Sequence, residues 1–184
     1  MNIKINEATL EQIPIIQQLA QESYPVAYAG IHSEEQNLYM MQRMYNTESL
    51  AQQMTEQHSH FLLLYADGVL PDEFKMASRP CEEVPLGYCA YKCHATEACT
   101  LYIDKLYILP SQKGKGYGRL LVQQVVDVAQ QLFPQGYAIR LDVNRSNSAR
   151  TFYEHLGFHV LRSWDAPIGN DYYMNAYEME MVKH

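Results

Sequence analysis

The sequence predicts a single α/β domain that spans residues 1–184. A length of 184 residues suits one domain, because domains usually contain about 100–200 residues. The composition is that of a globular chain, with 47% hydrophobic and 19% charged residues. Short runs rich in β-branched and aromatic residues alternate with segments whose apolar residues recur at helical spacing. No repeat, linker or low-complexity tract divides this pattern.

The first part of the chain predicts one strand and three helices. Thr9 and Ser33 each precede a glutamine by three positions, which is the spacing of a capping box, so each is expected to begin a helix. Asn46 and Thr47 restart a third helical run. The predicted elements are a strand over 2–6 and helices over 9–23, 34–45 and 46–57.

The middle of the chain predicts three strands. Residues 61–66 form a continuous apolar strand. The segment 67–85 is rich in proline and aspartate and predicts a loop or a hairpin extension. Residues 86–94 and 100–109 are expected to form an antiparallel pair around a turn at 95–98.

The last part of the chain predicts two helices and three strands. Six apolar residues recur at helical spacing after the glycine-rich turn: Leu120, Leu121, Val125, Val128, Ala129 and Leu132. The predicted elements are helices over 115–133 and 147–155 and strands over 138–143, 158–164 and 172–182. Asn147 is expected to cap the second helix, and Gly157 to end it.

The charge is unevenly distributed. The net charge is −7, yet residues 1–104 carry 14 acidic and 5 basic side chains, whereas residues 105–184 carry 7 acidic and 9 basic ones. This asymmetry suits an anionic cofactor in the second half and a cationic substrate near the first. A solvated acidic surface that serves solubility alone is the alternative. No nucleic-acid partner is predicted, because the chain is acidic and has no basic stripe.

The sequence predicts a cytoplasmic protein without a metal site or a membrane partner. No apolar run approaches the roughly 20 residues that span a bilayer. The N-terminus lacks the basic-then-apolar pattern of a secretory signal. The four cysteines have neither CxxC nor zinc-ligand spacing: Cys81, Cys89, Cys93 and Cys99.

The most informative segment joins the strand at 100–109 to the helix that follows. After Pro110 the chain reads Lys113, Gly114, Lys115, Gly116, Tyr117, Gly118 and Arg119. The glycines remove side chains where a ligand could approach the backbone. The amides of the helix start, its positive end and three basic side chains together favour a phosphate group. A flexible loop with solvated lysines is the alternative.

A second motif lies about 30 residues downstream, over residues 141–158. Phe152 and Leu156 are expected to share one face of the short helix, with Tyr153 turned away from them. A tyrosine beside a core face is most often an interface residue with its hydroxyl in water. The interest of Tyr153 comes from its pairing with the glycine turn.

Together these motifs resemble the GNAT superfamily of N-acetyltransferases. The resemblance rests on the glycine turn after a strand and on Asn-x-Ala-x-x-Phe-Tyr-Glu-x-x-Gly-Phe over 147–158. It implies a mixed, mostly antiparallel sheet of about seven strands, flanked by helices, with splayed central strands. Residues 33–45 and 168–179 are further similar to a bacterial subgroup that includes spermidine/spermine N-acetyltransferases.

One position departs from the family pattern. The turn is usually Gln/Arg-x-x-Gly-x-Gly/Ala, so Lys113 stands where glutamine or arginine is expected. A lysine can still meet a phosphate, but as a point charge without a planar fork. A Rossmann dinucleotide site is the competing interpretation, with Asp142 near the place of a ribose-binding acid. Its GxGxxG spacing does not match the GxGxG found here.

The resemblance implies acetyl-CoA as co-substrate. Backbone groups of Leu106, Tyr107 and Ile108 would pair with the pantetheine arm, and the amides of 113–119 would hold the pyrophosphate. A backbone N–H near Tyr107 or Ile108 would stabilise the oxyanion. Tyr153 matches the residue that supplies a proton to the leaving thiolate. Asn147, or alternatively Asn144, would contact the pantetheine.

The acceptor side is less defined by the sequence. Alternation through the central strand places Asp104 on one face near the expected thioester, as the base or as the anchor of an ammonium group. The alternative is an ion pair of Asp104 with Lys105 or an arginine. Three tyrosines of the helical segment that covers the acceptor side are expected to be packing residues: Tyr24, Tyr28 and Tyr39.

These expectations favour an acetyl-CoA-dependent N-acetyltransferase that acts on a primary amine by direct attack in a ternary complex. Polyamines are the favoured class of small-molecule acceptor. One alternative is acetylation of a protein, at its N-terminus or at a lysine. A non-catalytic module that binds acyl-CoA is the other. The oligomeric state is left open, a homodimer included.

Overall fold

The computed structural model describes residues 2–67 and 83–184 and contains seven strands and five α-helices over those ranges. The strands are β1 Ile3–Glu7, β2 His60–Asp67, β3 Glu83–Cys93, β4 Thr100–Ile108, β5 Tyr137–Asn144, β6 His159–Gly169 and β7 Tyr172–Lys183. The helices are α1 Ile13–Ala27, α2 Glu34–Tyr45, α3 Thr47–Thr55, α4 Tyr117–Leu132 and α5 Ala149–His155. Most of the predicted loop or hairpin extension at 67–85 lies outside the described residues. Among the described helices, none is long and apolar enough to cross a membrane.

The strands are hydrogen-bonded in the order β1-β2-β3-β4-β5-β7-β6. The pairs β1/β2, β5/β7 and β6/β7 are antiparallel, whereas β4 and β5 are parallel. This confirms the predicted mixed sheet of seven strands. The β4/β5 register runs from Thr100/Ala138 to Ile103/Leu141 and ends there, although both strands continue, as expected for strands that splay.

The chain forms two compact units. The first comprises residues 1–90 and 105–124, and the second comprises residues 91–104 and 125–184. Strands β3 and β4 and helix α4 therefore contribute residues to both units.

The core of the first unit is built on β2. All six residues from Phe61 to Ala66 are buried, which explains why this strand is continuously apolar instead of alternating. Strand β1 pairs with β2 in register from Ile3/Ala66 to Glu7/Leu62. The largest fully buried side chains of this unit are Ile16, Leu19, Tyr24, Leu50, Phe61, Leu63, Leu64, Tyr88, Leu109 and Leu121.

The first helix differs from its prediction at both ends. The backbone N–H of Thr9 donates to the side chain of Gln12 at 3.0 Å, as the capping-box pattern requires, but the chain first makes a 3₁₀ turn and α1 begins at Ile13. The helix continues past residue 23 through Pro25 to Ala27. The buried ring of Tyr24 lies within this extension. Tertiary burial therefore outweighs the unfavourable proline.

The next two helices each begin with a side-chain cap, of which the sequence predicted the first. The Ser33 hydroxyl accepts a hydrogen bond from the Gln36 amide at 3.1 Å, and the Asn46 side chain accepts one from the Ser49 amide at 2.8 Å. Helix α2 has the predicted bounds, and α3 ends two residues before its predicted end. Local capping fixes these helix starts.

In the second unit, β5 pairs with β7 along its full length. Ile139 and Leu141 lie opposite Met181 and Met179, and all four side chains are buried. Strand β6 lies at the edge of the sheet and has no buried residue. Its proline, Pro167, suits an edge position, because proline cannot donate a ladder hydrogen bond.

Candidate active site

The glycine turn between β4 and α4 has the backbone conformation that its sequence predicts. Strand β4 ends where the Leu109 amide donates to the Leu86 carbonyl at 2.9 Å, and one 3₁₀ turn follows over Pro110–Gln112. Gly114 and Gly116 then have φ values of +80° and +85°, which side chains rarely adopt. Nothing lies within 4 Å of a Cβ placed on either glycine, so this side of the loop is open.

The basic side chains of the turn are exposed where a ligand could bind, and one aromatic side chain of the turn packs into the core. Lys113, Lys115 and Arg119 are exposed, whereas the ring of Tyr117 is buried and ties the helix start to the first unit. The Lys115 ammonium donates to the Gln112 side chain at 2.9 Å. The first amides of α4 cannot find acceptors within their own helix, since every helix start leaves such donors. The turn can therefore hold a phosphate by amides, helix dipole and basic side chains.

Strand β4 approaches β3 very closely just before this turn. A Cβ on Gly87 would lie 2.6 Å from the Tyr107 carbonyl oxygen and 2.4 Å from the Ile108 side chain. Only glycine fits at this point. Leu106, Tyr107 and Ile108, the predicted pantetheine contacts, belong to the same unit as the glycine turn and are partly exposed.

A cluster of tyrosine rings packs around Tyr107, and we call it the tyrosine cluster: Tyr24, Tyr28, Tyr45, Tyr88 and Tyr107. Tyr88 stacks on Tyr107 with ring centroids 5.5 Å apart, and the Tyr24 ring lies 5.7 Å from that of Tyr107. Burial raises the pKa of Tyr24, Tyr88 and Tyr107, so these phenols are neutral. Tyr24 is a packing residue, as expected. Because tyrosine is abundant throughout the chain, the sequence did not indicate which tyrosines would form a cluster.

Lys105 lies beside the tyrosine cluster and is buried. Its ammonium donates to the Gln53 side chain at 2.7 Å, and it lies 5.9 Å and 5.7 Å from the ring centroids of Tyr45 and Phe61. Asp104, its neighbour in β4, is exposed. The two side chains thus alternate across the strand, and the Lys105 ammonium bonds to Gln53, a partner that the sequence did not predict.

In the second unit, Asp104 lies on the same face of β4 as Tyr102. The Tyr102 hydroxyl donates to Asp142 at 2.7 Å, and the Trp164 indole N–H donates to the other oxygen of that carboxylate at 2.8 Å. Burial raises the pKa of Asp142, although these two hydrogen bonds lower it in part. Asp142 is therefore engaged within its own unit, which gives no support to a ribose-binding role.

The two candidate asparagines use their side-chain oxygens to fold the loop after β5. Asn144 accepts from the Ser146 amide and Asn147 accepts from the Ala149 amide, each at 2.9 Å. Helix α5 consequently begins at Ala149, two residues later than predicted. Both asparagines belong to the second unit, together with Tyr153.

Tyr153 lies on the buried side of α5 and its ring contacts that of Phe152, so the prediction that it turns away from the face of Phe152 and Leu156 is wrong. It is 8% exposed, whereas Phe152 is only half-buried. The Tyr153 ring packs edge-on against Phe152 and Phe158, with centroids 5.1 Å and 5.7 Å away. Phe158 follows the helix and supplies a second ring on the Tyr153 side. This packing fixes the direction of the phenol.

Comparison with known proteins identifies a family for this arrangement. A family profile described as "Acetyltransferase (GNAT) domain" matches residues 57–160, which contain the glycine turn, β4 and Tyr153. The spermidine N(1)-acetyltransferase of Thermoplasma acidophilum is 28% identical over 166 residues, which cover 87% of this chain and 90% of that protein.

Solved structures share the fold. The PaiA N-acetyltransferase of Thermoplasma acidophilum, in complex with coenzyme A, superposes with a TM-score of 0.73 and 24% identity over 98% of both chains. The ribosomal-protein-S18-alanine N-acetyltransferase of Escherichia coli gives a TM-score of 0.64 and 14% identity over 98% of this chain and 94% of that chain.

The Asp142 network predicts a pH dependence of folding stability. Since the folded-state pKa of Asp142 is raised, its protonated form contributes stability that is present below the unfolded pKa and lost as pH rises through the folded pKa. We expect Asp142→Asn, which stays neutral, to gain stability relative to the wild type as pH rises from below the ordinary pKa of an aspartate to above the raised pKa of Asp142. Urea unfolding measures this difference. Asp67→Asn, at an exposed position, is the control, and a pH-independent difference for Asp142→Asn would contradict the expectation.

Proposed function

Because this chain belongs to the GNAT acetyltransferase family, we propose that it transfers the acetyl group of acetyl-CoA to a primary amine, with a polyamine as acceptor. The observation that carries this proposal is the open glycine turn at the start of α4, directly after β4. Two features favour a polyamine: the similarity to a spermidine N(1)-acetyltransferase, and the acidic first half of the chain.

The turn and the end of β4 fit the co-substrate. The amides of 113–119 would hold the pyrophosphate, and Lys113 would add charge in place of the usual glutamine or arginine. Backbone groups of Leu106, Tyr107 and Ile108 would pair with the pantetheine, and one of the last two N–H groups would stabilise an oxyanion. Acetyl-CoA supplies an acetyl group activated as a thioester.

Tyr153 and Asp104 are the proposed proton-transfer groups. The amine nitrogen would bond to the acetyl carbon, the carbon–sulfur bond would break, and the Tyr153 hydroxyl would give its proton to the leaving thiolate. The proton that the nitrogen loses as the amide forms would return Tyr153 to its neutral state. Asp104 would take the proton that the ammonium must lose, or would anchor a second ammonium group. Asn144 and Asn147 remain candidates for pantetheine contact through atoms other than their engaged oxygens. We propose the cytoplasm as the setting, in keeping with the reduced thiols of Cys93 and Cys99.

The direct test is thiol release from acetyl-CoA in the presence of polyamines, monoamines, amino acids and short peptides. Release with polyamines supports the full proposal, and release with peptides alone favours a protein acceptor. Binding of CoA without release by any amine would indicate a binding module.

We predict that Gly116→Val weakens acetyl-CoA binding by well over about tenfold. A β-branched side chain fills the open side of the turn and disfavours the positive φ of this residue. Gly30→Val is the matched control, because Gly30 has φ +76° and equally open surroundings outside the turn. If calorimetry gives equal acetyl-CoA affinities for the two variants, the turn is not part of the acetyl-CoA site.

Tyr153→Phe is expected to lower kcat by roughly 10²-fold, the usual effect of losing a positioned general acid. The ring packing against Phe152 and Phe158 is retained, so folding and acetyl-CoA affinity should persist. Tyr173→Phe removes a hydroxyl from an exposed tyrosine of the same unit and serves as control. If the kcat of Tyr153→Phe is unchanged, a group other than Tyr153 protonates the leaving thiolate.

For Asp104→Asn we expect a higher KM for spermidine if Asp104 anchors the substrate, and a lower kcat if it takes the proton. In the wild type the rate should rise with pH through the neutral range, because the attacking amine must lose a proton. Asp171→Asn, at an exposed aspartate, is the control. If both kinetic constants of Asp104→Asn equal those of the control, Asp104 has neither role.

A further inference from the structure

Gln112 connects the end of β4 to the glycine turn. It ends the 3₁₀ turn over Pro110–Gln112 and is half-buried. Its backbone N–H donates to the Leu109 carbonyl at 2.9 Å, and the amide of the buried Leu109 donates to the Leu86 carbonyl of β3. All of these residues belong to the first unit. The backbone of Gln112 is therefore fixed to the sheet, two residues before Gly114.

Both polar atoms of the Gln112 side chain are hydrogen-bonded. Nε2 donates to the Ser111 hydroxyl at 3.2 Å, and Oε1 accepts from the Lys115 ammonium at 2.9 Å. A hydrogen bond with one charged partner is roughly twice as strong as a neutral one. The flexible side chain of Lys115 is thus tied to a residue whose backbone is fixed to the sheet.

Lys115 differs in this respect from the other two basic residues of the turn. Within residues 2–67 and 83–184, neither Lys113 nor Arg119 has a side-chain hydrogen bond or an ion pair. A long basic side chain loses rotamer freedom when a ligand immobilises it, and that loss opposes binding. Lys115 has lost part of this freedom before a ligand arrives, whereas Lys113 and Arg119 have not.

The Lys115 ammonium keeps donors for a ligand. An ammonium group has three N–H donors, of which Gln112 accepts one. Lys115 is exposed, and nothing lies within 4 Å of a Cβ placed on Gly114 or Gly116, the glycines on either side of it. A lysine meets a phosphate as a point charge without a planar fork, so it has no preferred direction of its own. The bond to Gln112 supplies that direction.

We propose that Gln112 is a positioning residue: it holds the Lys115 ammonium where the pyrophosphate of acetyl-CoA binds. This inference rests on the proposed function and adds to its co-substrate site a residue that does not touch the ligand. The usual turn of the family has a glutamine or an arginine at the position of Lys113. In this chain the planar amide stands one position earlier and acts on a lysine instead of on the phosphate.

Calorimetry with CoA tests this role. Gln112→Met keeps the length of the side chain but removes the acceptor, and it should weaken CoA binding by about two- to tenfold. Dephospho-CoA lacks the 3′-phosphate but retains the pyrophosphate, so the same loss is expected with it. Gln131→Met is the matched control, because Gln131 is an exposed residue of α4 outside the turn. It should bind both ligands as the wild type does.

A double-mutant cycle distinguishes positioning from direct contact. If Gln112 acts through Lys115, Gln112→Met should cause no further loss of CoA affinity in a Lys115→Met background. In a Lys113→Met background the full loss should remain, because the Gln112 side chain bonds to Lys115 and Ser111. A merely structural role of Gln112 would give the same loss in both backgrounds.

The inference is overturned if Gln112→Met binds CoA as the control does, if its loss adds to that of Lys115→Met, or if the loss disappears with dephospho-CoA. Gly116→Val separates this failure from failure of the proposed function. Weakened CoA binding in Gly116→Val alone leaves the glycine turn as the co-substrate site without the positioning role. If the wild type binds no CoA, the inference and the proposed function both fail. Gln112→Ala also lacks the acceptor and replaces Gln112→Met if that variant does not fold.

Discussion

The short parallel pairing between β4 and β5 is the constraint from which the candidate chemistry follows. Four residues of β4 pair with β5, and the register ends at Ile103/Leu141 while β4 continues to Ile108. Backbone groups require partners, so a strand that outlasts its neighbour is suited to bind an extended ligand by its backbone. On its other side β4 is held to β3, where Gly87 permits the close approach at Tyr107. The glycine turn then comes directly after the strand.

The first unit holds several polar side chains in its interior. Lys105 is buried with an amide partner and two aromatic faces, and the Tyr88 hydroxyl donates to that of Tyr45 at 2.7 Å. An apolar core of equal volume is often at least as stable as such a network. Satisfied buried polar groups instead fix one arrangement of the rings. That arrangement holds Tyr107 in place from the side of α1 and α2.

The second unit keeps its candidate groups rigid by a different means. Tyr153 gains a fixed direction from two phenylalanine rings on a helix of only seven residues. Asp142 is held by donors from β4 and β6, and the buried Glu178 is bridged by Arg140 and Arg162. Packing and paired hydrogen bonds, not helix length, therefore fix the positions of Tyr153 and Asp142 in the second unit. A short helix alone would be too weak to do so.

The sequence by itself determined the features that depend on neighbouring residues. The cap at Ser33, the glycine turn and the family motif around Tyr153 each involve residues a few positions apart, so they can be recognised without knowing the fold. Only the tertiary structure decided which way Tyr153 faces and that Lys105 meets Gln53, 52 residues away. Both depend on how distant elements pack, and packing joins residues whose separation along the chain carries no periodic pattern.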